Sequence, residues 1–145
     1  MSNNNFNTHV YFSLVGDEFY PEELSKELGI EPTNSCKTGD EGKYKKELTF
    51  SSWQLSTEKG KEYSDIEKLV SEIIDQLKDK VEIINNLKQK YELESVLQIV
   101  LDIDTNPEQS TPYLGHDLET IEFLFKTQTR TDVDIYTFDS RDNEI

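Results

Sequence analysis

Apolar residues recur with a period of two in some stretches of this chain and with a period near 3.6 in others, and the two patterns alternate. In HVYFSLVG (His9–Gly16), Val10, Phe12 and Leu14 alternate with Tyr11, Ser13 and Val15, which predicts a first strand. YPEELSKELGIEP then predicts a short helix with punctuation at both ends. Pro21 suits the first turn, where a missing N–H costs nothing, and Glu22 and Glu23 sit at the positive end of the macrodipole. Leu24 and Leu28 face one way, Gly29 fits the left-handed position that ends a helix, Ile30 folds back on the apolar face, and Pro32 blocks continuation. Residues 33–43 read as a polar loop. YKKELTFSSWQLST (Tyr44–Thr57) reads as extended chain, either one bulged strand or two short ones, with Trp53 in the core.

SDIEKLVSEIIDQLKDK carries the clearest helical pattern. Ser64 and Glu67 form a capping box, and Ile66, Leu69, Val70, Ile73 and Leu77 trace one face. The pattern resumes with Ile84, Leu87 and Tyr91 after a phase slip around Asp79 to Val81, which predicts a kink or a break. ESVLQIVLDID (Glu94–Asp104) predicts a strong strand with Leu97, Ile99, Leu101 and Ile103 on one face. Its other face, Val96 to Asp104, begins apolar and ends acidic, so it is expected to be only partly covered. Residues 105–115 read as loop, HDLETIEFLFKTQ as a helix with Leu118, Ile121 and Phe125 (or Leu124) inward, and TDVDIYTF as the last strand. The order implies an α+β two-layer sandwich, with helices on one face of a four- or five-stranded mixed or antiparallel sheet. Length predicts a single domain over residues 1–145, with its core at about 9–138 and mobile tails at 1–7 and 139–145.

Charge changes this picture most. Thirty acids against fifteen bases give a net charge of −15 and a pI near 4.4. The excess is uneven: residues 92–145 hold 13 acids and 3 bases. Such a field repels nucleic acid and anionic membranes, and attracts basic partners with on-rates raised by roughly 10 to 1,000 fold. Cys36 is the only cysteine, so no disulfide forms within one chain. The N-terminus lacks the basic start and apolar run of a signal peptide, and no window approaches about 18 apolar residues. A reducing cytoplasm is the expected location.

Each candidate chemical motif in the chain also has a plain structural reading. In DIDTNPEQ, Asp102, Asp104, Asn106 and Glu108 occupy every second position, as at the start of a calcium loop. Such a loop needs Gly at its sixth position and a bidentate Glu at its twelfth; Pro107 and Tyr113 stand there instead. Alternating acids on a solvated strand end, turning at Asn106-Pro107, fit better. Asp102, Asp104, Asp132 and Asp134 lie at the ends of two predicted strands, but chance clusters are common in so acidic a chain. Cys36 has only His9 and His116 as possible bases, neither within a motif. TGDEGKY is not a phosphate loop, because its glycine spacing is wrong and its acids repel phosphate. The basic cluster at Lys43, Lys45 and Lys46 reads as a solvated strand edge.

The succession YFSLVGDEFYPEELSKELGIEPT, SSWQLST, the amphipathic helix from Asp65, VLQIVLDID and VDIYTF resembles the bacterial domain-of-unknown-function family forty-two seventy-nine over about residues 9–138. The matching positions are Gly16, Pro21, Leu24, Leu28, Gly29, Pro32, Trp53, Asp134 and Tyr136. The family often has an arginine before the tryptophan; this sequence departs with lysines, which lack the bidentate fork. The resemblance implies a small soluble bacterial protein without established enzymatic activity. Members found beside secreted polymorphic toxins look like immunity proteins, many of them facing nucleases with basic active sites. The expectation is therefore an antitoxin that binds a cognate protein toxin through an acidic surface. Asp102, Asp104, Asp132, Asp134 and Tyr136 are its candidate partner-binding residues, with no cofactor, metal, nucleic acid or membrane and a monomeric or weakly dimeric state. Reversing Asp102 and Asp104 is expected to slow capture and leave the fold intact. The alternatives are a non-catalytic small-molecule or peptide-binding domain, with a pocket lined by Trp53 and Tyr136, and a metal-dependent hydrolase using Asp102, Asp104 and Asp134.

Overall fold

The computed structural model describes residues 7–59 and 65–143. Five strands form one mixed sheet in the order β2-β3-β1-β4-β5. They are β1 (His9–Gly16), β2 (Asn34–Cys36), β3 (Ser51–Ser56), β4 (Glu94–Asp104) and β5 (Arg130–Phe138). The first four pair antiparallel, and β5 runs parallel to β4. The helices are α1 (Pro21–Leu28), α2 (Ile66–Leu77), α3 (Val81–Tyr91) and α4 (Leu118–Lys126). The architecture is the α+β arrangement expected.

One face of the sheet carries the core. Val10, Phe12 and Leu14 of β1, Trp53 of β3, and Leu97, Ile99 and Leu101 of β4 meet buried residues from all four helices in one cluster. Trp53 is fully buried, and its Nε1 donates to Ser25 Oγ of α1 at 3.0 Å, so the indole enters the core with its one donor satisfied. Gly29 ends α1 with φ 70, its N–H bonded to Ser25 O, and Ile30 packs against the core, as the sequence implied. Gly16 allows a close approach: a Cβ there would lie 2.7 Å from Leu93 Cδ2. The phase slip near Asp79 appears as a turn of 3₁₀ helix, Lys78–Lys80, between α2 and α3.

Several expectations need correction. The capping residue Ser64 lies outside the described residues; Asp65 caps α2 by accepting from the Glu67 N–H. The loop at 33–43 contains β2, which pairs with β3. The extended reading of Tyr44–Thr57 holds only for Ser51–Ser56. Lys43–Lys45 form a 3₁₀ turn with Tyr44 at φ 63, so the lysine cluster is not a strand edge. Within the C-terminal tail, Ser140–Asn143 form a 3₁₀ turn, with Asp104 Oδ1 accepting from Ser140 N at 3.1 Å. The expected tails at 1–6 and 144–145 lie outside the described residues.

The largest correction concerns α4. Its inward residues are Thr120, Phe123 and Leu124, while Leu118, Ile121 and Phe125 are exposed, at 82%, 48% and 74%. Two apolar stripes compete on this helix. The buried one includes threonines, which read as polar. Thr127 Oγ1, fully buried just past α4, donates to Phe123 O at 2.9 Å and meets Thr129 Oγ1 at 2.7 Å, so its hydroxyl is not stranded. Phe123 also makes an edge contact with Phe12, ring centroids 6.1 Å apart. Phe123→Ala is expected to lower unfolding free energy by about 3–5 kcal/mol. Phe125→Ala should stay within about 0.5 kcal/mol. Urea denaturation of the two variants checks the assignment, and equal losses would reverse it.

Candidate functional site

The second face of the sheet carries none of the residues of the core cluster. Side chains that share a row of a sheet point the same way, so the register names its occupants. One row runs Ser56, Tyr11, Gln98, Asp132; the next runs His9, Val100, Asp134; beyond them Asp102 stands beside Tyr136 and Asp104 beside Phe138. The five candidate residues, Asp102, Asp104, Asp132, Asp134 and Tyr136, therefore share one face. They come together because β4 and β5 are parallel neighbours in phase.

Their surroundings divide them. Asp132 and Asp134 are exposed, and neither joins a hydrogen bond or ion pair among the described residues; Tyr136 is 56% exposed. Asp102 is half-buried and accepts from the Asn7 N–H, while its own N–H donates to Thr8 Oγ1 at 3.0 Å. Asp104 is a structural residue. Its Oδ1 accepts from Asn106 N at 3.0 Å and Ser140 N at 3.1 Å, and its carboxyl lies below the usual range because these hydrogen bonds outweigh the opposing desolvation. Asn106 Oδ1 accepts in turn from Glu108 N at 3.1 Å. The spacing of two that resembled a metal loop thus belongs to successive side-chain turns, each carbonyl or carboxylate oxygen taking the N–H two residues on. Reversing Asp104 would break this turn, so the double reversal with Asp102 does not leave the fold untouched.

Residues that sequence reasoning missed complete the face. Tyr11 is half-buried between Ser56 and Gln98, and its ring stacks on His9 with centroids 5.9 Å apart. Burial raises the Tyr11 pKa above its ordinary 10.0, and Asp134, Asp132 and Tyr136 raise it further. Gln98 is 7% exposed, and its Nε2 is buried with no hydrogen-bond partner among the described residues. The signal for both was present in their strand phase, but only the order β1-β4-β5 places them beside the acids. Trp53 lies on the opposite side of the sheet from Tyr136, so the two cannot line one pocket. Among the described residues, no group of three or more His, Cys, Asp or Glu is arranged to hold a metal ion, and no helix is long and apolar enough to cross a membrane.

The family model for a domain of unknown function, DUF4279, matches residues 6–138. The chain belongs to this family. No curated protein and no solved structure matches it. Of the family positions read from the sequence, Gly16, Pro21 and Trp53 serve the core of this DUF4279 domain and Gly29 ends α1, whereas Asp134 and Tyr136 are exposed on the acidic face.

Titration offers a direct check of this face. Tyr11 should lose its proton above pH 10.0, and Asp132→Asn with Asp134→Asn should bring its pKa back toward that value. A folded pKa raised above the unfolded one gives stability that is full below pH 10.0 and falls as pH rises through the folded value. NMR titration of the Tyr11 ring reads the shift directly; a pKa unmoved by the double substitution would show that these carboxylates do not share the face with it.

Proposed function

We propose that this DUF4279 domain is an immunity protein, which binds and neutralises a cognate protein toxin in the cytoplasm without catalysis of its own. The observation that carries the reading is the gathering of Asp102, Asp132, Asp134 and Tyr136 on one face of the sheet, opposite the face that holds the core cluster. Two of these carboxylates, Asp132 and Asp134, are exposed and join no hydrogen bond or ion pair among the described residues, which suits them to a basic surface. A nuclease fits as the target, since an acidic face competes for the basic residues that otherwise hold phosphate.

The reading of a small-molecule binder loses its proposed pocket, with Trp53 and Tyr136 on opposite sides of the sheet. The metal-hydrolase reading loses Asp104 to its backbone hydrogen bonds.

Co-expression with the toxin encoded beside the gene tests the proposal. The intact chain should restore growth and co-purify with the toxin. Asp132→Lys with Asp134→Lys should slow association on the order of tenfold at low salt, with little change in stability because both sites are exposed. Stopped-flow rates over a salt series supply the measurement. Failure to rescue growth and to co-purify would end the proposal.

A further inference from the structure

β5 closes one side of the sheet and, among the described residues, pairs with β4 alone. The outward N–H and C=O groups of such a strand are a template for another chain, and proteins usually blunt them with short strands, bulges, Pro or charged side chains, Lys above all. β5 is neither short nor bulged. It runs nine residues in unbroken register with β4, and its sequence RTDVDIYTF contains neither Pro nor Lys. It carries an ordered charge row instead. Arg130, Asp132 and Asp134 point to the acidic face, while Thr131, Val133 and Ile135 point to the helix side. On that side Ile135 is 56% exposed, and α4 leaves Leu118, Ile121 and Phe125 exposed.

We propose that the β5 edge receives an added antiparallel strand from a protein partner. The segment has an acid opposite Arg130, bases opposite Asp132 and Asp134, and apolar residues at the alternate positions. Antiparallel addition is favoured by its more stable hydrogen bonding. The charges select the occupant, since opposite charges across a strand pair stabilise it and like charges oppose it. A second copy of this chain fits poorly. Self-pairing about Val133 sets Asp132 against Asp134 twice, and any register brings together two chains of net charge −15. The inference rests on the immunity reading only for the source of the strand.

The test uses the full chain, isotope-labelled, and a cyclised β-hairpin peptide whose outer strand reads Thr-Val-Lys-Val-Lys-Thr-Glu. That order places both lysines opposite Asp132 and Asp134, and the glutamate opposite Arg130. Binding should protect alternate amides of residues 131–137 from hydrogen exchange. N-methylation of the outer-edge amides of the peptide should abolish binding. Asp132→Asn and Asp134→Asn should each weaken it by roughly two- to fivefold. Transposing the valines and lysines of the peptide turns each to the wrong face and should also weaken it. The proposal falls if the hairpin does not bind at millimolar concentration, if N-methylation leaves binding unchanged, or if protection appears on β1 and not β5. It falls equally if sedimentation finds a dimer of the peptide-free chain that protects the same amides. Growth rescue by a toxin complex that leaves the β5 amides unprotected overturns strand addition and keeps the immunity reading. Hairpin binding as described, without rescue, does the reverse.

Discussion

The phase of β4 is the constraint on which the rest of the molecule depends. Its eleven residues commit Leu97, Ile99 and Leu101 to the core, and with a period of two this turns Gln98, Val100, Asp102 and Asp104 the other way. A slip of one residue would turn Asp102 and Asp104 to the helix side and take Leu97, Ile99 and Leu101 out of the cluster, so the register is strongly specified. β1 and β5 inherit the phase through pairing. Tyr11 and His9 are set beside Gln98 and Val100 from one side, and Asp132, Asp134 and Tyr136 are set along the same face from the other. The acidic face is a consequence of how the core is filled.

The parallel strand β5 depends on a second arrangement, a polar knot where α4 hands the chain over to it. Lys88 of α3 donates to Thr127 O at 2.6 Å, Gln128 O at 3.0 Å and Ser95 Oγ at 2.7 Å. Ser95 Oγ meets Thr129 Oγ1 at 2.7 Å. The ammonium lies at the negative end of α4, where its charge is favourable. Burial pushes the Lys88 pKa down, and Glu94 acts in the opposite sense. Dehydrating a cation is costly, and here three acceptors offset the cost; the carbonyls in turn would be stranded without it. Gln128 at φ 52 closes the helix, with Thr129 N bonded to Leu124 O at 2.8 Å. The direction in which β5 leaves is set by this junction.

Sequence pattern made the long elements legible because each had one dominant phase. β1, β4, α1, α2 and the break before α3 fall where alternation and punctuation placed them. α4 defeated the same reasoning because Leu118, Ile121 and Phe125 make as good a stripe as Thr120, Phe123 and Leu124; only the threonine hydroxyls, satisfied inside, decide between them. β2 is three residues long, too short for a period, and exists because β3 has an edge to pair. Four of the five candidate site residues came from adjacency along two strands, but Tyr11 and Gln98 needed the sheet order, which no local pattern encodes. Asp104 shows the converse: its spacing was visible, and its structural use in the turn was not.

Charge alone gives this face speed and discrimination more than affinity. An exposed ion pair contributes only about 0–1 kcal/mol, because water screens it and two long side chains must be held still. Asp132 and Asp134 are both exposed, so a partner held by them alone would leave quickly. Lasting association needs apolar or aromatic anchors that lose water on contact. On β5 itself, Tyr136 is exposed on the acidic face and Ile135 on the helix side. On the proposed reading, the acids would steer a basic partner and oppose self-pairing, and Tyr136 and Ile135 would supply the contacts that hold it.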